Sequence, residues 1–368
     1  MPTPNSPLPP MIERSMRAQS LLPAGQSGPP LVKFFHNALL SFQDSAAAFC
    51  VVGTLPPLAY LKNPGNGHPL YKHQNHLPRP VRPPTTPHTL VVLDSSFNPP
   101  TRAHLRMVTS GIYDLVRGEG QKLSALRVLL LLAVNNADKA PKPAAFEQRL
   151  AMMWAFAKDV QDEVRAGQRE EPSQGEAASS DEELSIDIGL STLPYFAEKS
   201  AEIAASDFYT SEAREGARQM EQVILAGYDT LIRIFNPKYY AGPPTSEGEV
   251  TSAGQTPMQR ALGPFFDRVK LRVTLRTNDE WGGKEEQRAY LEDLLQADGL
   301  TRIGGDKEWA GRIELTEGRK EAEQIVSSTY AREAAQKQDW DKLDEMATPA
   351  VREWIQKQKL YSEQATQS

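Results

Sequence analysis

From Thr89 onward, short apolar runs rich in β-formers alternate with longer stretches of helical periodicity, and this alternation leaves few architectures open to the chain. The runs lie at 90–93, 128–134, 186–190, 223–226, 271–275 and 313–315. Helical patterns lie near 103–117, 145–165, 195–205, 211–221, 229–235 and 284–297. Near-continuous apolar runs belong to strands covered on both faces, and helices between them let each strand return parallel to its neighbour. The predicted fold is α/β, a doubly wound parallel sheet. After Val326 the pattern is purely helical, over 327–335, 339–346 and 349–357, with Thr348 and Pro349 marking the last start.

The segment before Thr89 has another texture. Residues 1–88 hold 17 of the 29 prolines and seven Lys/Arg against two acids, the composition of a largely disordered extension. Within it, Leu31, Phe34, Phe35, Ala38, Leu39 and Phe42 stand at helical spacing, which predicts one packed helix over 31–42. The expected organisation is this extension, one domain over 89–361, and a tail at 362–368. Two mobile surface insertions are expected in the domain, at 166–183, where 170–183 carries six acids, and at the Gly/Pro/Ser/Thr-rich 242–256.

A net charge of −6 without a Lys/Arg run predicts no nucleic-acid partner. The single cysteine, Cys50, excludes an internal disulfide or a cysteine-based zinc site, and no metal site is expected. No apolar run reaches the roughly 18 residues that span a bilayer, and the start lacks a secretory pattern. A soluble protein of the cytoplasm or nucleus is expected. Arg14, Arg17 and Lys33 faintly resemble a mitochondrial presequence, against which the proline density argues. Oligomeric state is not legible.

The chemistry concentrates at Leu90-Val91-Val92-Leu93-Asp94-Ser95-Ser96-Phe97-Asn98-Pro99-Pro100-Thr101-Arg102-Ala103-His104. A strand runs into a Ser-Ser turn, two prolines end it, and Thr101 is placed to cap the following helix. Thr101 and His104, three apart, share a face of its first turn. Free N–H groups, the positive helix end and an imidazole then converge on one spot suited to a phosphate. His104 is also the only one of the six histidines beyond Thr89.

These residues resemble the first motif of the nicotinamide/nicotinate mononucleotide adenylyltransferase family, as Ser95-x-Phe97-x-Pro99-x-Thr101-x-x-His104. Ser327-Ser328-Thr329-Tyr330-Ala331-Arg332 is similar to the family's S-S-T-x-x-R, which opens a helix at the far end of the same sheet. Ala226-Gly227-Tyr228-Asp229 resembles its G-x-D. Lys139, in 135–139 and followed by Arg149, resembles its loop lysine near the mononucleotide phosphate. The stretch from Leu343 through Thr348 and Trp354 to Leu360-Tyr361 resembles its C-terminal helical end. The wording of the first motif, together with 232–240, looks most like a fungal branch.

The resemblance implies a nucleotidyltransferase domain that moves AMP from ATP to nicotinamide or nicotinate mononucleotide, with Mg²⁺ accompanying ATP. It implies catalytic roles for His104 at the α-phosphate and for Thr101 and Arg332 at the departing pyrophosphate. Ser95, Ser96, Phe97, Gly227, Asp229, Ser327, Ser328 and Thr329 would bind the nucleotide. The partners are then ATP and a phosphorylated mononucleotide, with no nucleic acid or membrane. Two departures bear on the acceptor. Ser95 stands where the family's glycine is usual. Tryptophans that stack the pyridine ring are replaced by Gly189 and Leu190 after the third strand, and by Tyr239 and Tyr240 after G-x-D. Alternatives are another phosphorylated acceptor, or an ATP-binding or slowly ATP-hydrolysing regulatory protein. Class I aminoacyl-tRNA synthetases share an H-x-x-H-like motif, but 327–332 replaces their lysine loop and no tRNA-binding domain fits.

Overall fold

The computed structural model describes residues 29–57, 77–134, 144–170, 184–210, 219–240, 254–275, 283–296, 298–318 and 325–362. Helix α1 (Pro30–Gln43) opens on a proline and buries Phe34, Phe35, Leu39 and Phe42. Strand β1 (Phe49–Leu55) follows. The chain then runs through β2 (Thr89–Asp94), α2 (Arg102–Tyr113), β3 (Leu126–Ala133), α3 (Phe146–Glu170), β4 (Ser185–Ser191), α4 (Phe196–Ala205) and β5 (Glu221–Gly227). Next come α5 (Tyr228–Ile234), α6 (Pro257–Arg268), β6 (Val269–Thr274), α7 (Lys284–Leu295), α8 (Gly299–Arg302) and β7 (Ile313–Thr316). Three helices close it: α9 (Ser328–Gln336), α10 (Trp340–Met346) and α11 (Pro349–Gln358).

The seven strands form one sheet in the order β1-β4-β3-β2-β5-β6-β7. All neighbours pair parallel except β1 with β4. Alternate strand residues feed two separate cores, as the period-2 geometry of a strand requires. Val91, Leu93, Val128, Leu130 and Leu225 face α1, α2, α3 and α9–α11. Leu90, Val92, Leu129, Ile224 and Leu271 face α4–α8. The winding reverses at β2, which lies between β3 and β5. The carboxyl ends of β2 and β5 therefore border the crevice where sheets of this type bind ligands.

The sheet agrees with the doubly wound reading, and the six expected strands are all present. The extension departs from expectation. Residues 49–55 are not loose chain but an edge strand paired antiparallel with β4. A buried polar cluster fixes it. Thr54 Oγ1 donates to Asp187 Oδ1 at 2.6 Å, Arg127 grips both carboxylate oxygens at 2.6 and 2.8 Å, and Tyr209 donates to Oδ2 at 3.0 Å. Arg127 also donates to the carbonyl of Val81, so 77–88 is tied into the same cluster. The apolar sequence FCVVGTL carried a strand signal, but its proline-rich flanks masked it.

Three other elements differ from the expectation or fall partly outside it. Helix α3 continues through 166–170, so the expected insertion starts no earlier than 171, and 171–183 lies outside the described residues. Of the helix expected over 211–221, residues 211–218 also lie outside, and Glu221 begins β5. Helix α6 was not anticipated, although its capping box is readable. Thr256 Oγ1 accepts from Gln259 N at 3.0 Å, Gln259 Oε1 accepts from Thr256 N at 2.9 Å, and Pro257 takes the first position. Among the described residues, no helix is long and apolar enough to cross a membrane.

Candidate active site

Ser95 leaves β2 at the switch point, and α2 begins seven residues later with Thr101 as its N-cap. The backbone N–H of Thr101 donates to Nδ1 of His104 at 3.0 Å, and the Thr101 hydroxyl lies 2.8 Å from the same nitrogen. An imidazole thus fills the place of the carboxylate in a capping box. Because Nδ1 accepts a hydrogen bond from the main chain, the neutral ring carries its own proton on Nε2. Nε2 stands 3.0 Å from Ser95 Oγ and is the donor of that pair. This tautomer cannot take the Ser95 proton, so the Ser–His pair is not an activated nucleophile of the serine-hydrolase kind. It presents a half-buried N–H and a hydroxyl, bonded to each other at the mouth of the switch point, the kind of donor pair that can turn to an anion.

The second helix start is brought directly against the first. Ser327 caps α9 by accepting from Tyr330 N at 3.2 Å. Ser328 Oγ donates to the carbonyl of Pro99 at 2.8 Å. Arg332 splits its guanidinium, Nη1 donating to Asn98 O at 2.7 Å and Nη2 to Thr329 Oγ1 at 3.0 Å. Two helix N-termini are therefore brought to one region, a concentration of positive potential without a lysine cluster. Burial and the neighbouring Arg332 both push the Arg149 guanidinium below its ordinary pKa, which places a second cation beside this region.

Not every residue singled out in the sequence reaches solvent. Phe97 is fully buried, with its ring against His104 (centroids 5.7 Å apart) and Phe156 (6.4 Å). Its side chain supports the imidazole and cannot stack on a nucleotide. Thr101 is 1% exposed, so its hydroxyl orients His104 and is out of reach of a departing pyrophosphate. The Ser95 backbone needs no glycine, since the left-handed residue of the turn is Phe97 at φ 45°. Ser96 is exposed beside it in the turn. Gly227 and Asp229 stand at the end of β5 and in the first turn of α5, across the switch point from Ser95. Lys139 lies outside the described residues.

Where the resemblance implies an acceptor pocket, the aromatics are distributed differently from the expectation. Gly189 and Leu190 are inside β4. A Cβ at Gly189 would sit 2.8 Å from Leu129, so neither marks a ring pocket. Tyr240 is anchored, its hydroxyl donating to Ile234 O at 2.6 Å, and burial, with Tyr195 nearby, pushes its phenol up to about 12. Tyr239 stays 46% exposed and meets Tyr195, 50% exposed, at a centroid distance of 6.3 Å. Tyr195 escaped the sequence reading because it precedes α4 in a stretch without a motif.

Lys199 escaped it too. Its ammonium pairs with Asp94 at 2.5 Å, and both side chains are under 10% exposed (7% and 9%) at the end of β2. The available signal was a lysine at helical spacing from the apolar Phe196 and Ile203. Tyr361 is the third residue missed in role, and its hydroxyl donates to Asn98 Oδ1 at 2.9 Å. Among the described residues no cluster of three or more His, Cys, Asp and Glu is arranged to hold a metal.

No family model matches the chain. Among solved structures, Plasmodium falciparum nicotinic acid mononucleotide adenylyltransferase complexed with NaAD aligns at 15% identity and a TM-score of 0.39, covering 74% of this chain and 97% of that one. Thermotoga maritima TmcAL bound with alpha-thio ATP aligns at 12% identity and a TM-score of 0.33, covering 73% and 55%. Both scores are too low for these structures to bear on the site. A Schizosaccharomyces pombe protein, named provisionally as a nicotinamide mononucleotide adenylyltransferase, is 30% identical over 248 residues, which are 67% of this chain and 75% of the relative. On that shared sequence, the chain belongs to the nicotinamide mononucleotide adenylyltransferase family.

Proposed function

We propose that this protein transfers the adenylyl group of Mg–ATP to the 5′-phosphate of nicotinamide or nicotinate mononucleotide. An acceptor phosphate oxygen attacks the α-phosphorus in line, the bond to the β-bridging oxygen breaks, and pyrophosphate leaves. The acceptor phosphate is already largely deprotonated at neutral pH, so no general base is required. Positioning and charge neutralisation carry such a reaction.

The observation that carries the reading is the bond from Thr101 N–H to Nδ1 of His104, which sets the tautomer of the ring. An imidazole with Nδ1 held by Thr101 N–H keeps its proton on Nε2, and that N–H exchanges Ser95 Oγ for an oxygen of the α-phosphate, where charge builds as the pentacoordinate phosphorus forms. The starts of α2 and α9 supply backbone N–H groups to the β- and γ-phosphates, and Mg²⁺ arrives bound to those phosphates as part of the substrate. Gly227 and Asp229 face the nucleotide sugars. The exposed Tyr195–Tyr239 pair supports a flat heteroaromatic acceptor, for which a tilted aromatic pair makes a stacking surface.

The test is a panel of phosphorylated acceptors assayed for pyrophosphate release with ATP. Release that depends on nicotinamide or nicotinate mononucleotide is expected. Release with a different acceptor redirects the substrate. ATP binding or hydrolysis indifferent to every acceptor overturns the transferase reading in favour of an ATP-binding regulator.

A further inference from the structure

Asn98, in the turn between β2 and α2, is held through both its main chain and its side chain from the far end of the sequence. Its side chain is 5% exposed. Its carbonyl accepts from Arg332 on α9, and the next carbonyl, that of Pro99, accepts from Ser328. Its side-chain Oδ1 accepts from the hydroxyl of Tyr361 at 2.9 Å, across 263 residues of sequence. The phenol oxygen also lies 3.8 Å from the sulfur of Met152.

Left-handed backbone occurs at Tyr361 and beside Asn98. Tyr361 follows α11 in a reversal where Lys359 has φ 50° and Tyr361 itself φ 66°. On the other side, Phe97, the neighbour of Asn98, has φ 45°. Residues with a Cβ rarely adopt left-handed backbone, and they persist there only where surrounding contacts over-determine it. Burial raises the Tyr361 phenol above its ordinary range although Arg149 and Arg332 pull it down, so the hydroxyl keeps its proton and acts as the donor.

We infer that Tyr361 is a positioning residue of the nucleotide site, its hydroxyl holding Asn98 so that the turn aims Ser95, Ser96 and His104 at the nucleotide. The inference rests on reading this site as the ATP site of an adenylyltransferase. Reaction geometry at phosphorus tolerates little displacement, and the turn that sets it has no regular secondary structure of its own between 95 and 101. The hydroxyl contact supplies what a helix or strand would supply elsewhere. It also makes the end of α11 part of the site without touching the substrate.

Tyr361→Phe keeps the ring and deletes only the hydroxyl. In the full chain it is measured beside Asn98→Ala and the double variant. The readouts are the affinity for a non-hydrolysable ATP analogue without acceptor, kcat and KM for acceptor-dependent pyrophosphate release, and the melting temperature. Tyr361→Phe is expected to weaken analogue binding about 3–10-fold and to lower kcat about 10-fold, with the melting temperature within about 3 °C of the parent. KM for the acceptor should move less than kcat. The double variant should be no worse than Asn98→Ala alone, since both remove one interaction. Parental analogue affinity in Tyr361→Phe overturns the inference. So does a loss matched by a collapse in melting temperature, or losses that multiply in the double variant. If the parent releases no pyrophosphate with any acceptor, the transferase reading fails separately, and the analogue affinities still decide the role of Tyr361.

Discussion

The backbone N–H of Thr101 donates to Nδ1 of His104 at 3.0 Å, so the main chain of the N-cap dictates which imidazole nitrogen carries the proton. His104→Ala removes the only imidazole at this helix start. It is expected to lower kcat by on the order of 10²–10³, as loss of one preorganised donor does. Loss of the cap partner should cost about 1 kcal/mol of stability. Thr101→Val keeps the backbone donor while deleting the hydroxyl, so its kcat should fall much less. Near-parental turnover in His104→Ala, or an equal loss in Thr101→Val, measured beside thermal melts, contradicts this account.

Arg332 serves two masters, the turn at Asn98 and the hydroxyl of Thr329, through separate nitrogens of one planar fork. Arg332→Lys retains the charge but cannot hold both acceptors in that geometry. It should recover only part of the kcat that Arg332→Ala loses, with most of the deficit in kcat and less in KM for ATP. Steady-state kinetics of the two variants check this. Full recovery by lysine would mean that charge alone matters at this position.

How far the sequence could be read depended on whether each signal was local. The first motif was legible because β2, the Ser-Ser turn and the start of α2 are contiguous, and the capping relation of Thr101 to His104 follows from spacing alone. The burial of Phe97 was not legible, since it depends on Phe156 from a helix far along the chain. Lys199 with Asp94, and Tyr361 with Asn98, are contacts across 105 and 263 residues, and no spacing rule reports them. β1 was hidden for another reason. An antiparallel edge strand needs no crossover helix, so it left no trace in the alternation that revealed the other six.

That edge strand divides the N-terminal region into parts with opposite expected behaviour. Deleting residues 1–28, whose composition is proline-rich and polar, should leave activity and melting temperature nearly unchanged. Deleting through residue 57 removes α1 and β1 and leaves Asp187 without Thr54, so the domain should fail to fold. Arg127→Met probes the same cluster by a single change. Arg127 and Asp187 have side chains 6% and 0% exposed, and removing one partner of such a pair typically destabilises by about 3–5 kcal/mol. A loss under about 1 kcal/mol in urea titration would show the cluster to be dispensable.

The last expectation concerns alkaline pH. Burial raises the phenols of Tyr209, Tyr240 and Tyr361 above the ordinary range, Tyr240 to about 12. Each therefore keeps its proton in the folded protein at a pH where the unfolded chain, titrating near ~10, releases it. Below that value both states are protonated and these groups add no pH dependence. Above it the folded state holds more protons, so stability falls as pH rises, by roughly 1 kcal/mol per unit for each group until its folded pKa is passed. Unfolding midpoints should be level with respect to these groups from pH 7 to about 9 and drop steeply between about 10 and 11. Tyr240→Phe removes one titrating hydroxyl along with its bond to Ile234 O, and should make the alkaline drop shallower even where it lowers the neutral-pH midpoint. Urea titrations of both proteins across that range decide the matter. A parent midpoint that stays level to pH 11 would show that these phenols do not titrate differently in the folded and unfolded chains.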